Sequence, residues 1–335
     1  MRLPNHDGRL QDNPDFEHHL QQLSERASRF AIDLNDQVDR DTKEYFIGGD
    51  AIVYKGRLRP EGTFVAVKTF RFAHRGDSTV LKVSCILSRL PDYYADQLVK
   101  TILREVHVWS KLMHPNVLPL LGITTKFDST ISIISKWMSN GNAHDYVQDP
   151  KVDPRPLVRR VLDIANGLQY LHNHHPPIYH GDLKGSNVLV SDDGRAMLTD
   201  FGLPFLISLV FTMDTNATNQ SSMNWTAPEG FDQPSLTAEM DVWAFGMTAL
   251  ELFTRQPPFH DIKKCSRVMS QIAEGRMPSR PSSDSTCFRM TDSWWKICRS
   301  CWEHDPSLRP NMLDIASQVK QIPVCRNGDG GRDTD

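Results

Sequence analysis

The amino-acid sequence predicts an α+β fold in which strands come first and helices follow. Short runs over Tyr45–Ile47, Ile52–Arg57 and Thr63–Phe70 alternate apolar and polar residues, the period-two pattern of a half-buried sheet. From Asp153 onward a helical period takes over, most clearly over Val158–His172. Strands grouped ahead of helices, instead of alternating with them, mark the α+β class. Ahead of the strands, residues 1–42 are rich in Gln, Asp, His and Arg. Apolar residues at Phe16, Leu20 and Leu23, and again at Phe30, Ile32 and Leu34, permit an amphipathic helix from about Asp15. A main domain is expected over 43–321, followed by a Gly- and Asp-rich disordered tail over 322–335.

Composition excludes several function classes. A chain of 335 residues can bury a large core, and a formal net charge of −3 supplies no basic field for nucleic acid or a membrane surface. The longest apolar run, Leu203–Phe211, falls well short of the roughly eighteen residues that a membrane span needs. Six cysteines, at 85, 265, 287, 298, 301 and 325, are scattered, and no apolar N-terminal segment points to export. Reduced thiols in a cytoplasmic protein are therefore expected. Cys298-Arg299-Ser300-Cys301 has the spacing of a metal or redox pair, but no second pair accompanies it, so helix packing is the expectation. Asn216, Asn219 and Asn224 open Asn-x-Ser/Thr sequons that should stay unmodified in that compartment.

The chemistry resides in the run His180-Gly181-Asp182-Leu183-Lys184-Gly185-Ser186-Asn187, followed thirteen residues after Asn187 by Asp200-Phe201-Gly202. An Asp and an Asn five positions apart can divide the work of phosphoryl transfer from ATP. Asp182 accepts the proton of a substrate hydroxyl, while Asn187 and Asp200 ligate magnesium. Upstream, Val65-Ala66-Val67-Lys68 reads as a strand ending in an ammonium suited to the α- and β-phosphates. The first glutamate after Lys68 is Glu105, in the helical stretch Leu103–Trp109, and it is the carboxylate expected to hold Lys68. Downstream stand Ala227-Pro228-Glu229, Asp241-Val242-Trp243-Ala244-Phe245-Gly246 and Leu308-Arg309-Pro310. Taken singly, Lys68 reads as a solvated strand-end lysine, His180 as a packed core histidine and Asp200-Phe201-Gly202 as a turn. Their order and spacing carry the reading.

On these motifs the chain resembles the eukaryotic protein kinases over roughly residues 45–320. The resemblance implies a bilobal fold, with a five-stranded antiparallel sheet, a C helix and a hinge over 43–138 and a mainly helical lobe over 139–321. Ile131–Val147 aligns with the fifth strand, the hinge and the following helix. Ser135 becomes a small gatekeeper, and Lys136, Trp137 and Met138 become the hinge that pairs with the adenine edge. Val53 and Ala66 cover the ring and Leu189 forms its floor. His180 and Phe201 belong to a spine, and Glu229 pairs with Arg309. Lys184, two residues after Asp182, is the serine/threonine arrangement, its ammonium offsetting charge on the transferring group. Ser222 aligns with the hydroxyl residue that bridges catalytic Asp and Lys. Trp243, Cys301-Trp302 and Asp305-Pro306 through Arg309-Pro310 are similar to tyrosine kinases. That mixture is typical of the tyrosine-kinase-like group of serine/threonine kinases, and the catalytic loop looks like members expanded in fungi. The implied activity is ATP- and Mg2+-dependent phosphorylation of Ser or Thr in protein substrates during intracellular signalling.

Three departures bear on that expectation. Aligning Val53-Tyr54-Lys55-Gly56 with the end of the family's glycine loop places Phe46, Gly48 and Ala51 at the three glycine positions, with Gly49 extra. Gly48 keeps the position where a Cβ would collide with phosphate. Lys68 and Glu105 are thirty-seven positions apart, about twice the family's usual spacing, with the surplus near 75–98. Doubling a loop costs only about 0.6 kcal/mol, so an insertion there is tolerable. Gly181 stands where the family usually has an Arg that binds a phosphorylated activation segment, which makes such activation non-obligatory despite Thr212, Thr215, Thr218, Ser221 and Ser222. A pseudokinase scaffold is the alternative from another class. It draws on the same departures, while Lys68, Glu105, Asp182, Asn187 and Asp200 are all retained.

Overall fold

The computed structural model describes residues 25, 28–29, 31–47, 51–72, 81–82, 103, 106–127, 131–149, 157–201, 222–231, 235–286 and 289–322. The expected helix from Asp15, Gly48, Gly49, Glu105, residues 83–98 of the insertion, Thr212, Thr215, Thr218, Ser221 and the tail beyond Ile322 lie outside those residues. The described chain falls into two compact units. One takes residues up to 113 together with 119–137, the other takes 114–118 and everything from 138 onward.

In the first unit, β1 (Val38–Ile47), β2 (Ala51–Leu58), β3 (Thr63–Phe72), β5 (Leu120–Thr124) and β6 (Ser132–Lys136) form an antiparallel sheet in the order β1-β2-β3-β6-β5. This is the five-stranded sheet expected, with one addition. The short β4 (Leu81–Lys82), inside the insertion, returns to pair with the end of β3 through Arg71–Lys82 and Phe72–Leu81. Alternation along β3 sends Val65 and Val67 into a core with Leu34, Val38 and Ile134, and leaves Ala66 and Lys68 on the opposite face. Each such aliphatic side chain contributes about 1.5–3 kcal/mol by leaving water. Residue 103 and residues 106–110 are helical and bury Leu103, Val106 and Trp109, a three-residue spacing that keeps them on one helical face.

The sheet unit reaches back before residue 43. Leu34 N–H donates to Ile123 O at 2.8 Å, Ile123 N–H to Ile32 O at 2.9 Å, and β1 already begins at Val38. Asn35 Oδ1 accepts from Thr124 Oγ1 at 2.8 Å and from Thr125 N–H at 2.7 Å. Conversely, the segment 114–118, inside the range expected for the strand lobe, joins the helical unit. Leu118 N–H donates to Leu198 O at 2.9 Å, and Leu198 N–H donates to Asn116 O at 2.9 Å, so the segment lies along a hairpin of that unit.

The second unit contains α1 (Ala143–Gln148), α2 (Leu157–His172), the hairpin β7 (Val188–Val190) and β8 (Ala196–Leu198), α3 (Ala238–Thr254), α4 (Cys265–Ala273), α5 (Asp292–Cys301) and α6 (Met312–Gln321). The Asn142 side chain caps α1 by accepting from Asp145 N–H, Thr237 caps α3 and Thr291 caps α5 in the same way, and Asn311 accepts from Asp314 N–H at the start of α6. α3 is buried continuously from Asp241 to Phe253, which accounts for its apolar residues on every side. α2 packs on α6 and β8, and α3 on α5. Cys298 and Cys301 are fully buried on α5, and burial pushes the Cys298 thiol up to about 12 and the Cys301 thiol up as well. Among the described residues no helix is long and apolar enough to cross a membrane.

Candidate active site

The residues of the catalytic run converge within the helical unit. Leu183 is buried, Lys184 is extended, and Gly185–Asn187 make a single 3-10 turn that leads straight into β7. This turn brings Asn187 back over Asp182. Its Nδ2 donates to Asp182 Oδ2 at 2.8 Å and to the Asp182 carbonyl at 2.7 Å. Lys184 Nζ reaches the same carboxylate, 3.2 Å from Oδ1 and 3.0 Å from Oδ2, and donates to Ser222 Oγ at 2.6 Å. The bridging hydroxyl expected at Ser222 is therefore in contact with Lys184, across thirty-eight residues of chain.

Beneath this cluster the loop is held by its backbone. Asp241, at the start of α3 and 1% exposed, accepts from His180 N–H at 2.7 Å, from Gly181 N–H at 2.9 Å and from His172 Nε2 at 2.8 Å. A buried carboxylate without such donors would cost several kcal/mol, and here three donors surround it. His180 is fully buried. Asp182 N–H points at its Nδ1 at 3.3 Å, which makes that nitrogen an acceptor, and burial holds the imidazole below its ordinary pKa. Its ring meets Phe201 edge-on at 6.4 Å, the pairing expected of the spine. Gly181 has φ +75°, and a Cβ built there would lie 2.6 Å from Leu236 Cδ1. The space beside the loop is thus filled by a leucine, and the backbone is in the left-handed region that glycine adopts without strain.

The β7–β8 hairpin carries Asp200 to the same place. Val188 pairs with Leu198, Thr199 N–H donates to Asn187 O at 3.1 Å, and Thr199 Oγ1 donates to Asp200 Oδ1 at 3.0 Å. Asp200 has φ +63°, a left-handed conformation costing a non-glycine residue about 1–2 kcal/mol, the kind of strain that collects at functional sites. On the other strand, Leu189 is half-buried and bridges Asn142, while Val190 N–H donates to Gly141 O at 2.9 Å, so Met138 and Leu189 lie on backbone segments tied together.

In the sheet unit, register places Val53, Ala66, Lys68 and Ser135. Val53 is the cross-strand partner of Lys68, Lys55 of Ala66, and Ala66 of Ser135, so Val53, Ala66 and Lys68 share one face. Ser135 is buried, Lys136 exposed, and Trp137 N–H donates to Phe64 O at 3.2 Å. Phe46, in the first glycine position, is 60% exposed and packs on Trp137 with ring centroids 5.8 Å apart. Lys55 Nζ lies over Trp137 at 5.3 Å and over Phe64 at 4.8 Å, and is anchored to Glu44 at 2.8 Å. Three of these contributors escaped motif reasoning: Asp241 as the anchor of the loop, Thr199 as a donor to Asp200, and Phe46 as a contact of Trp137. The one available signal was acidic residues inside the apolar run of α3.

Farther along, Arg309 forms a bidentate pair with Glu229, Nη1 to Oε1 at 2.5 Å and Nη2 to Oε2 at 2.9 Å, and its guanidinium lies over Trp243 at 5.0 Å. A strand unit with a lysine on the face opposite its core, and a helical unit that brings Asp182, Lys184 and Asn187 together on one loop with Asp200 at the end of the next hairpin, define a protein kinase. The comparisons agree. The family described as protein tyrosine and serine/threonine kinase matches residues 53–319, and the chain belongs to that family. It is 31% identical over 296 residues to "Probable serine/threonine-protein kinase roco9" of Dictyostelium discoideum, covering 86% of this chain and 8% of that protein. It is 27% identical to the serine/threonine-protein kinase CTR1 of Arabidopsis thaliana, covering 77% of this chain and 31% of that one. It is 31% identical to the tyrosine-protein kinase SPK-1 of Girardia tigrina, covering 66% and 45% respectively. The chain thus spans less than half the length of each of these relatives. Membership implies use of ATP with a divalent metal, and a protein substrate.

Proposed function

We propose that the chain transfers the γ-phosphate of ATP, with Mg2+, to Ser or Thr hydroxyls of protein substrates in the cytoplasm. The observation that carries this reading is the shared hydrogen-bonded group of Asp182, Lys184, Asn187 and Ser222. Asp182 accepts the proton of the substrate hydroxyl while that oxygen bonds to the γ-phosphorus and the bond to the β–γ bridging oxygen breaks. Lys184 offsets negative charge on the phosphoryl oxygens, and its bond to Ser222 holds the ammonium in place. Asn187 spends its amide N–H groups on Asp182, which leaves the amide oxygen as the atom suited to a hard cation. With the Asp200 carboxylate it makes a sparse oxygen set, the kind that binds magnesium together with substrate phosphates and not in an all-protein cage. The cation, when bound, neutralises charge on those phosphates.

In the same proposal Lys68 binds the α- and β-phosphates with Glu105 as its partner, and Gly48 and Gly49 allow close backbone approach. Val53, Ala66 and Leu189 enclose the adenine, Lys136–Met138 pair with its edge, and Ser135 leaves room behind it for bulky ligands. Lys184 after Asp182 favours serine and threonine over tyrosine. Residues 1–42 are assigned to a polar extension and 322–335 to a tail, and nucleic acid is not a partner. The test is transfer from labelled ATP with magnesium to a generic basic protein, wild type beside D182N, with phosphoamino-acid analysis. Phosphoserine or phosphothreonine that falls by about a thousandfold in D182N, with ATP binding retained, is expected. ATP binding without any transfer by the wild type would overturn the enzyme in favour of a scaffold.

A further inference from the structure

The residue in the first glycine position adds a ring to the sheet unit where the family pattern has no side chain. β1 stays paired with β2 through that point, Phe46 opposite Val53 and Ile47 opposite Ile52. Directly paired residues share a face, so Phe46 stands with Val53, Ala66 and Lys68 on the face opposite the core. Trp137 directly follows β6, two residues beyond Ser135, the partner of Ala66 on that face. In the order β1-β2-β3-β6 two strands lie between β1 and β6, a backbone gap of about 14 Å at the usual strand spacing. The rings of Phe46 and Trp137 nevertheless sit 5.8 Å apart, tilted by 42°. Both side chains therefore reach across β2 and β3, the strands that carry Val53 and Ala66.

The Trp137 ring is fixed from a second side. Lys55 Nζ lies over it at 5.3 Å and over Phe64 at 4.8 Å, and Glu44 holds that ammonium at 2.8 Å. Phe46 stays 60% exposed, so much of its ring is open to a further flat partner. We propose that Phe46 and Trp137 form an aromatic wall that stacks on the purine base of the nucleotide, so that this chain draws from the base affinity that its missing glycines no longer supply through the phosphates. The assignment rests on the kinase reading above, in which Val53 and Ala66 cover the adenine. Aromatic groups gain from offset or tilted contact at roughly 4.5–7 Å beyond the area they bury, and every base presents a face for it. A glycine-loop backbone acts instead on phosphate. A ligand that carries only one of the two groups separates the contributions.

The experiment titrates the full chain calorimetrically with ADP and Mg2+, with adenosine and with inorganic tripolyphosphate, for wild type, F46A, F46G, F46Y, W137A and F46A/W137A, alongside thermal unfolding of each and the ATP KM in the transfer assay. F46A should weaken adenosine and ADP by a common factor of about five to ten and leave tripolyphosphate within about twofold. F46G, which restores the family's usual residue, should lose adenosine affinity in the same way, and F46Y should keep it. W137A should weaken the same two ligands, and F46A/W137A should cost less than the product of the single losses, because the rings act as one wall. The ATP KM of F46A should rise several-fold with kcat within about twofold. Adenosine bound by F46A as tightly as by wild type, or more tightly, overturns the wall. A loss confined to ADP assigns Phe46 to the phosphates and overturns it too, as does a loss that F46Y shares. A wild-type chain that binds none of the three ligands overturns the kinase reading and this assignment together, a result distinct from nucleotide binding that F46A leaves untouched.

Discussion

The two units hold their candidate site residues by different means. In the helical unit Asp182, Lys184 and Asn187 sit on an irregular loop, and that loop is fastened from below by buried acids whose oxygens receive backbone N–H groups: Asp241 under His180 and Gly181, Glu251 under Gly185. In the sheet unit the backbone at Val53, Ala66 and Lys68 is placed by strand register, with neighbouring side chains adding contacts such as the Thr69–Ser132 hydroxyl pair at 2.8 Å. A ladder shares its load over many equivalent bonds, whereas a loop depends on a few irreplaceable acceptors. Irregular backbone leaves N–H groups that the chain itself cannot pair, so acidic side chains are retained in the core to pair them.

That contrast predicts unequal mutational costs. D241A strands two amides and one imidazole, and should destabilise the full chain by about 3–5 kcal/mol in urea unfolding, with transfer activity lost in parallel. T69V removes one buried hydroxyl bond from the sheet unit and should cost only about 1 kcal/mol. Equal costs would mean that the loop has other fastenings and that the contrast is false.

A side chain at Gly181 tests the same loop from another direction. G181R restores the family's more usual residue, yet the backbone there is left-handed and Leu236 fills the space that its first carbon needs. The variant should lose about 1–3 kcal/mol of stability and gain no dependence on phosphorylation of the activation segment, read by comparing phosphatase-treated and untreated protein in the transfer assay. Activation by phosphorylation in G181R would show that Leu236 yields easily.

How far the sequence foretold these arrangements depends on how local they are. Asp182, Lys184, Asn187 and Asp200 come together through one turn and one hairpin, and residue types at fixed spacing encode that well. Ser222 was reachable only through family resemblance, because it lies thirty-eight positions along the chain from Lys184. The early start of the sheet unit was hidden because Leu34 and Val38 are four apart, a spacing that also fits a helix. Their conformation is decided by pairing, of Leu34 with Ile123, a partner distant in sequence, and of Val38 with Leu58. The acids of α3 were visible as charges in an apolar run, but their partners are mostly backbone amides, which have no sequence signature. The reduced glycine loop was legible as a loss, and its counterpart, Phe46 against Trp137, was not, since contacts across strands need register to be read.

The smallest effect falls on His144, whose Nδ1 lies 2.7 Å from a Glu251 carboxylate that also accepts from Gly185 N–H and Trp225 Nε1–H. The hydrogen bond to Glu251 holds His144 above its ordinary pKa of 6.5, against desolvation by burial and with help from the charges of Glu251 and Asp145. A group whose pKa rises on folding binds its proton more tightly in the folded state. Its contribution is complete below the unfolded value of 6.5 and disappears as pH climbs through the raised folded value. Because the His144 side chain is 31% exposed, solvent screening keeps the contribution small. Urea unfolding of wild type against H144N from pH 5 to 9 should therefore show a stability difference at acidic pH that closes toward alkaline pH, and E251Q should remove most of that pH dependence. T69V, which removes a bond between two hydroxyls and no ionisable group, should run parallel to wild type throughout. If the difference between wild type and H144N stays constant with pH, the imidazole is bound to Glu251 as a neutral donor, and the buried carboxylate draws its compensation from Gly185 and Trp225 alone.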